Sequence, residues 1–280
     1  MAVSADEVTQ YHDTGLIFPR RVMSAADAAN YLAELEVYET NSDGPINGKW
    51  RYKSHLVFPW FNRLMRHPAI LDLVRAILGN DLMVWTTHIY PKEPGDGRFV
   101  SWHQDSAHWG LDSDQVLTVW VALTDTTREN GCMRMIPGSH HKGQVEHQDT
   151  QDANNILTRG QTIQDGINEE ISVWVELKAG EASIHHVDMF HASTPNCSSK
   201  RRVGVAIRYI TPSARQTRID EDYATLVSGE DRFRHFNEEI TPESTMSPDA
   251  VAFHEHVADL QGQIYLTNTD RNSIAGLQDP

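Results

Sequence analysis

Cysteine is scarce in this chain, with only Cys132 and Cys197 among 280 residues. Two thiols cannot build a disulfide framework or a four-cysteine zinc site, and they fit a reducing compartment. Basic residues are few as well: 24 Lys and Arg stand against 39 Asp and Glu, a net charge of −15. Such a charge repels nucleic acid and anionic membrane, both polyanions. No apolar run reaches the length of about 18 residues that a membrane-crossing helix needs. The opening residues 1–7 have neither the basic nor the apolar stretch of a secretory signal. The expectation is a cytoplasmic protein with a small-molecule substrate and no nucleic-acid or membrane partner.

What is present suits a large buried core: 39% of residues are hydrophobic and 22% charged. Length alone allows two small domains or one large one, and the element pattern favours a single domain over 1–280. Helices are expected at Ala5–Asp13, at Ala25–Tyr38 behind an N-capping Ser24, and at Pro68–Leu78, where Gly79-Asn80 stops a run of apolar residues at helical spacing. These make up an N-terminal helical part over about 5–80.

After Gly79 short β-branched and aromatic runs take over, at Asp81–Tyr90, Phe99–Asp105, Val116–Thr124, Met133–Ile136, Ile171–Leu177, Glu181–His185 and Arg201–Ile210. Many short strands with long connections predict a mainly β fold with flanking α, a double-stranded β-helix of the jelly-roll or cupin-like kind, over about 81–212. The polar stretch His140–Glu170 reads as a long loop, either a lid or a solvated surface segment. Beyond it, Arg215–Phe236 and Pro248–Leu260 lean helical and form a C-terminal extension over about 213–280.

The histidines number 15, and three His-x-Asp pairs occur: His103/Asp105, His147/Asp149 and His186/Asp188. On a strand such a pair puts both side chains on one face. With a second histidine it completes a two-His-one-carboxylate triad, which leaves one face of an octahedral Fe(II) open. His147/Asp149 lies in a polar stretch without alternation and reads as a solvated pair. His186/Asp188 sits beside His185 and His191 and reads as structural or supporting. His103/Asp105 follows Phe99-Val-Ser-Trp102, a buried-looking strand, where a carboxylate needs a partner such as a metal.

A further pattern runs from Arg202 to Arg208. Val203, Val205, Ile207 and Tyr209 take one face, and Arg202, Gly204, Ala206 and Arg208 the other. The second face combines positive charge with small residues, so that an arginine can grip a dicarboxylate while its carbon chain finds room.

Four stretches in this order carry a resemblance to a known family. They are Ser101-Trp-His-Gln-Asp105, Val119-Trp-Val-Ala-Leu123, Asn130-Gly-Cys-Met-Arg-Met-Ile-Pro-Gly-Ser-His140, and His191-Ala-Ser-Thr-Pro-Asn196 followed by Arg202. Together with Tyr11–Phe18 they resemble the phytanoyl-CoA dioxygenase family of Fe(II)/2-oxoglutarate oxygenases, over about residues 5–212. The resemblance implies His103, Asp105 and His191 as iron ligands and Arg202, eleven residues after His191, as the partner of the far carboxylate of 2-oxoglutarate. It implies Ser193, Trp120, Thr118 and Gln104 as further cofactor-site residues, with Fe(II), 2-oxoglutarate and O2 as cofactors. Halogenating relatives lack the carboxylate ligand, so Asp105 implies hydroxylation, with release of succinate and CO2.

For the substrate, Lys53 and His55 in Trp50–Trp60, with Arg208, are expected to hold an anionic group, and Trp109 or Tyr90 to stack on an ammonium. That resembles bacterial members acting on small polar metabolites, aminoalkylphosphonates included. An acyl-CoA or natural-product intermediate is the alternative substrate. A non-catalytic cupin-like metal sensor and a zinc hydrolase remain competing readings, from which Arg202 and dependence on 2-oxoglutarate and O2 discriminate.

Overall fold

The computed structural model describes residues 3–42, 44–150, 152, 154–157 and 159–266. The chain opens with helix α1 (Ala5–Thr14), whose start is fixed by a reciprocal pair: the Ser4 hydroxyl accepts from the Glu7 backbone and the Glu7 carboxylate accepts from the Ser4 backbone. It ends at Gly15, at φ 71°, where a Cβ would lie 2.6 Å from His140 and Met189. Glycine alone suits both the left-handed backbone and the close approach. Strand β1 (Leu16–Arg21) follows, then α2 (Ala25–Asn41) with Ser24 as its cap, α3 (Pro59–Leu64) and α4 (Pro68–Leu78).

The β region comprises β2 (Leu82–Lys92), β3 (Val100–His103), β4 (Val116–Ala122), β5 (Met133–Met135), the two-residue strands β6 (His147–Gln148) and β7 (Thr162–Ile163), β8 (Val173–Val175), β9 (Glu181–His186), β10 (His191–Ser193) and β11 (Arg202–Ile210). A one-turn helix α5 (Ser106–Trp109) interrupts it. Strands β12 (Tyr223–Ser228) and β13 (Asn237–Glu238) and helix α6 (Pro248–Leu266) complete the described chain. No helix among the described residues is long and apolar enough to cross a membrane.

Two sheets form the double-stranded β-helix. The larger runs β1-β9-β4-β11-β2-β12-β13 and the smaller β3-β10-β5-β8. The outer face of the large sheet carries Val119, Val121, Val205, Ile207 and Tyr209, which pack on Leu35, Trp60, Phe61, Leu64 and Val74 of the N-terminal helices. Each such side chain contributes roughly 1.5–3 kcal/mol on burial. The apolar half of the Arg202–Arg208 alternation therefore turns outward to the helices and the polar half inward, between the sheets.

One expectation fails here, and one of two alternatives drops out. Arg215–Phe236 is not helical: Tyr223-Ala-Thr-Leu-Val is β-branched and aromatic, and as β12 it pairs with β2 through Thr225↔Val84 and Leu226↔Met83. The segment His140–Glu170 is not a bare surface loop either. Val145, Ile163 and Ile167 pack on Ile136, Phe190 and Trp102. Leu16–Arg21, which begins inside the opening motif Tyr11–Phe18, is a strand that pairs with β9.

Lys53 and His55 do not reach the space between the sheets. The Lys53 ammonium donates to Glu239 Oε1 at 2.6 Å and to the Tyr223 carbonyl at 2.7 Å, and His55 Nε2 lies 2.8 Å from Glu239 Oε2. Thr225 also donates to Glu239 Oε2, and His55 Nδ1 meets Thr87 Oγ1 at 2.9 Å. This buried cluster ties the 50s segment to β2, β12 and the chain after β13. A sequence reading sees free cations there because Glu239 is 184 residues from His55.

Burial would raise the Glu239 carboxyl, but Lys53 and His55 outweigh it and lower its pKa to about 2 from 4.5. A carboxylate depressed on folding contributes stability above its unfolded pKa and loses it as pH falls through the folded value. Stability measured by urea titration should therefore decline between pH 4.5 and about 2. Glu239→Gln, which leaves Lys53 buried without its anion, should cost about 3 kcal/mol at pH 7 and remove most of that acid-dependent loss.

Candidate active site

His103 ends β3 and His191 begins β10, and the two are direct partners in the antiparallel ladder. Their ring centroids stand 4.0 Å apart. Asp105, just beyond β3 where the chain turns into α5, places Oδ1 3.8 Å from His103 Nε2 and 3.9 Å from His191 Nε2. The three donor atoms lie within 4.8 Å of one another and all three residues are buried.

Each imidazole is oriented for ligation. His103 Nδ1 is 2.9 Å from the Ser101 carbonyl and His191 Nδ1 2.9 Å from the Met189 carbonyl, so the Nδ1–H of each donates there and its Nε2 lone pair faces the cluster. Burial, reinforced by His191, pushes His103 well below the usual imidazole range, keeping it in the neutral ligating form. Burial would raise Asp105, but His185, His191 and Arg208 beside it hold it ionised. Its second oxygen is occupied separately: Thr118 donates to Oδ2 at 3.2 Å and His185 Nε2 lies 3.8 Å away. Two imidazoles and one carboxylate, with one carboxylate oxygen left toward the imidazoles, form a donor set suited to Fe(II).

The inner face of the large sheet builds the cavity in rows. Backbone pairing sets His185, Thr118, Arg208 and Thr86 side by side, with Ser183, Trp120, Ala206 and His88 in the next row. Arg202 lies two rows further on, six residues from Arg208 and opposite Lys92.

At that far end the Arg202 guanidinium, 2% exposed, donates to the Gly131 carbonyl at 2.6 Å and sits 5.4 Å from the Trp120 ring. No carboxylate pairs with it among the described residues, and its buried Nε has no partner. Ser193 Oγ faces the same end and accepts from Lys92 at 2.8 Å. Burial, then the charge of Arg202, lowers the Lys92 ammonium to about 6.

Of the residues picked out in the sequence, His103, Asp105, His191, Arg202, Ser193, Trp120, Thr118, Tyr90, Trp109 and Arg208 all line this one cavity. Gln104 does not. Its amide donates to the Gly143 and Asp188 carbonyls and accepts from Val145, so it braces the following loop. His147 is no solvated residue: its Nε2 accepts the Gln104 backbone N–H at 2.9 Å. The space above Gly204 is not left for a ligand, because the Trp120 ring fills it; a Cβ there would come 1.9 Å from the indole. The rings expected to receive an ammonium each have protein neighbours as well as the cavity. Tyr90 stacks on His88 at 3.9 Å, and Trp109 lies between Arg208 and Trp85, each 5.3 Å away.

Sequence reasoning missed His185, His88, Tyr52, Tyr265 and the loop residues Ile156, Leu157 and Gln161, all of which line the cavity. The first two had a signal: Ser183/His185 alternate with Ala182/Ile184, and Thr86/His88/Tyr90 occupy alternate positions of a strand. The loop residues and Tyr265 had none, since only the return of distant segments brings them in.

Residues 11–204 match the sequence pattern of the phytanoyl-CoA dioxygenase family. The chain belongs to that family. It is 27% identical over 230 residues to a probable alpha-ketoglutarate-dependent hypophosphite dioxygenase of Stutzerimonas stutzeri, covering 75% of this chain and 79% of the relative. It resembles the solved non-heme monooxygenase ThoJ at 36% identity and a TM-score of 0.83, covering 95% of this chain and all of the other. The structure of CytC3 with Fe(II) and alpha-ketoglutarate, at 24% identity and a TM-score of 0.63 over 84% of this chain and 92% of that one, shares the fold. This family member is an Fe(II)/2-oxoglutarate-dependent dioxygenase that uses O2.

The packing of Trp120 on Gly204 makes a direct test. Gly204→Ala overpacks that contact and should cost about 1–3 kcal/mol, read by urea titration, with a changed near-ultraviolet circular dichroism signal from the displaced indole.

Proposed function

We propose that His103, Asp105 and His191 hold the Fe(II), and that Arg202, Ser193 and Trp120 bind 2-oxoglutarate. The protein then hydroxylates an unactivated C–H bond of a small polar metabolite in the cytoplasm, an aminoalkylphosphonate among the candidates. The supporting observation is the convergence in one buried cavity of a two-His-one-carboxylate donor set and an arginine with no carboxylate of its own. Bound Fe(II) and 2-oxoglutarate supply O2 activation there, with succinate and CO2 as co-products.

The chain's own residues do the rest. The Ser101 and Met189 carbonyls fix both imidazole tautomers, while Thr118 and His185 hold one oxygen of Asp105 so that the other is free to ligate. A carboxylate in that position favours hydroxylation over halogenation. Arg202 is poised to pair with the distal carboxylate of the co-substrate, over the flat of Trp120 and beside Ser193. Val100, Met133, Ile156 and Leu157 line the cavity with apolar surface that keeps water from the reacting centre.

The chain over 1–280 is read as one oxygenase unit, because Tyr52 from the N-terminal part and Tyr265 from α6 both close the cavity. Free thiols at Cys132 and Cys197 fit a reducing compartment.

Asp105→Ala should abolish Fe(II) retention and 2-oxoglutarate turnover, read by metal analysis and succinate release; full activity in this variant would refute the ligand assignment. Arg202→Gln should raise the 2-oxoglutarate KM by roughly 10- to 100-fold, since a charge-assisted bidentate contact contributes about 1.5–3 kcal/mol, while the anaerobic Fe(II) affinity stays unchanged.

A further inference from the structure

The cavity holds a second buried arginine that the co-substrate does not need. Arg208 lies on the same face of β11 as Arg202, six residues on, or roughly 20 Å of strand at about 3.3 Å per residue. It stands on the Asp105 side of the cavity, opposite Thr118 and Thr86 in the sheet. A 2-oxoglutarate anchored at Arg202 and reaching the metal has spent both its carboxylates before it approaches Arg208.

Arg208 is itself unpaired. It is 7% exposed, and no carboxylate lies within ion-pair distance of it among the described residues. Its terminal nitrogen donates to the Tyr90 hydroxyl at 2.9 Å, and its buried Nε donates to nothing. Trp109 lies 5.3 Å from the guanidinium and Tyr90 5.9 Å, so the planar fork is held between rings. Asp105 contributes favourable charge at longer range, but its oxygens face the two ligand histidines and Thr118. Burial works against its charge, but Tyr90 and Asp105 outweigh it, so Arg208 stays charged in the cavity.

A second unsatisfied polar group stands beside it. His88 is buried, its ring clasped by Tyr52 at 4.1 Å and by Tyr90 at 3.9 Å, and its Nε2 has no hydrogen-bond partner. Burial and the neighbouring Arg51 and Arg208 keep it neutral. Asp105 is the one acidic residue lining the cavity among the described residues, so this end offers no counter-charge to a substrate cation.

We propose that Arg208, with His88 and Tyr90, forms a subsite for an anionic group on the substrate. The substrate is then a small organic acid, a carboxylate or a phosphorus oxyanion, whose head sits at Arg208 and whose C–H bond lies toward the metal. This rests on the oxygenase reading above, since it takes Arg202 to be occupied by 2-oxoglutarate. Arg208 selects the substrate by charge, and His88 adds one directed hydrogen bond that discriminates among oxyanions.

The test uses the full chain loaded anaerobically with Fe(II) and 2-oxoglutarate, titrated with methylphosphonate, inorganic phosphate, acetate or, as a cation control, methylammonium. Binding is read by calorimetry and by perturbation of the visible charge-transfer band. At least one anion should saturate and methylammonium should not. Arg208→Gln should weaken that anion tenfold or more while 2-oxoglutarate affinity stays within twofold, and Arg202→Gln should do the reverse. Tyr90→Phe, which keeps the ring stack and removes the hydroxyl that receives Arg208, should weaken the anion several-fold and decides the matter if Arg208→Gln does not fold. The proposal is overturned if no anion saturates, if methylammonium binds instead, if both Arg208→Gln and Tyr90→Phe leave anion affinity intact, or if Arg208→Gln loses 2-oxoglutarate as Arg202→Gln does. Absence of the charge-transfer band in the unaltered protein would refute the metal and co-substrate assignment itself; a normal band with no anion response refutes only the subsite.

Discussion

The pairing of β10 with β3 is the constraint on which the site depends. That ladder sets His191 opposite His103 and brings into one cluster two imidazoles separated by 88 positions in the chain. A slip of one residue would turn one of the two histidines to the other face of the sheet. The register is held on the far side of β10 as well, by three consecutive pairs with β5 from His191↔Met135 to Ser193↔Met133. Asp105 then follows from chain geometry, since the turn into α5 begins two residues after His103 and points its carboxylate back at both rings.

Charge is the second organising principle. The chain as a whole is acidic, at −15, yet the space between its sheets is cationic: two arginines stand against one carboxylate among the lining residues. A ligand's negative charge would offset the hydration that buried Arg202 has lost, and would complement the charge of Arg208. Outside the cavity Lys53 and Glu239 form a buried pair at 2.6 Å.

The family's motifs lie in the part of the chain that makes the two sheets. Other parts of the cavity wall come from elsewhere: Tyr52 from the segment after α2, Ile156, Leu157 and Gln161 from the long loop, and Tyr265 from α6. A shared oxygen-activating centre can thus serve different substrates, because the residues that ligate and those that enclose belong to separate segments.

By itself the sequence determined the fold class, the strand faces and the order of motifs, because these are local: alternation with period two separates Val203, Val205 and Ile207 from Arg202, Ala206 and Arg208 without reference to anything distant. Spacing left three His-x-Asp pairs open, and only the ordered motifs that resemble the family singled out His103/Asp105 with His191 and Arg202. Tertiary structure alone decided what each buried polar group meets. Lys53 and His55 looked like free cations until Glu239 arrived from the far end of the chain, Gln104 looked like a cavity residue until its amide closed on Gly143 and Asp188, and Gly204 looked like open space until Trp120 filled it. Partnership between distant segments leaves no periodic trace, and in a buried site partnership is what separates a group already satisfied from one still waiting for a ligand.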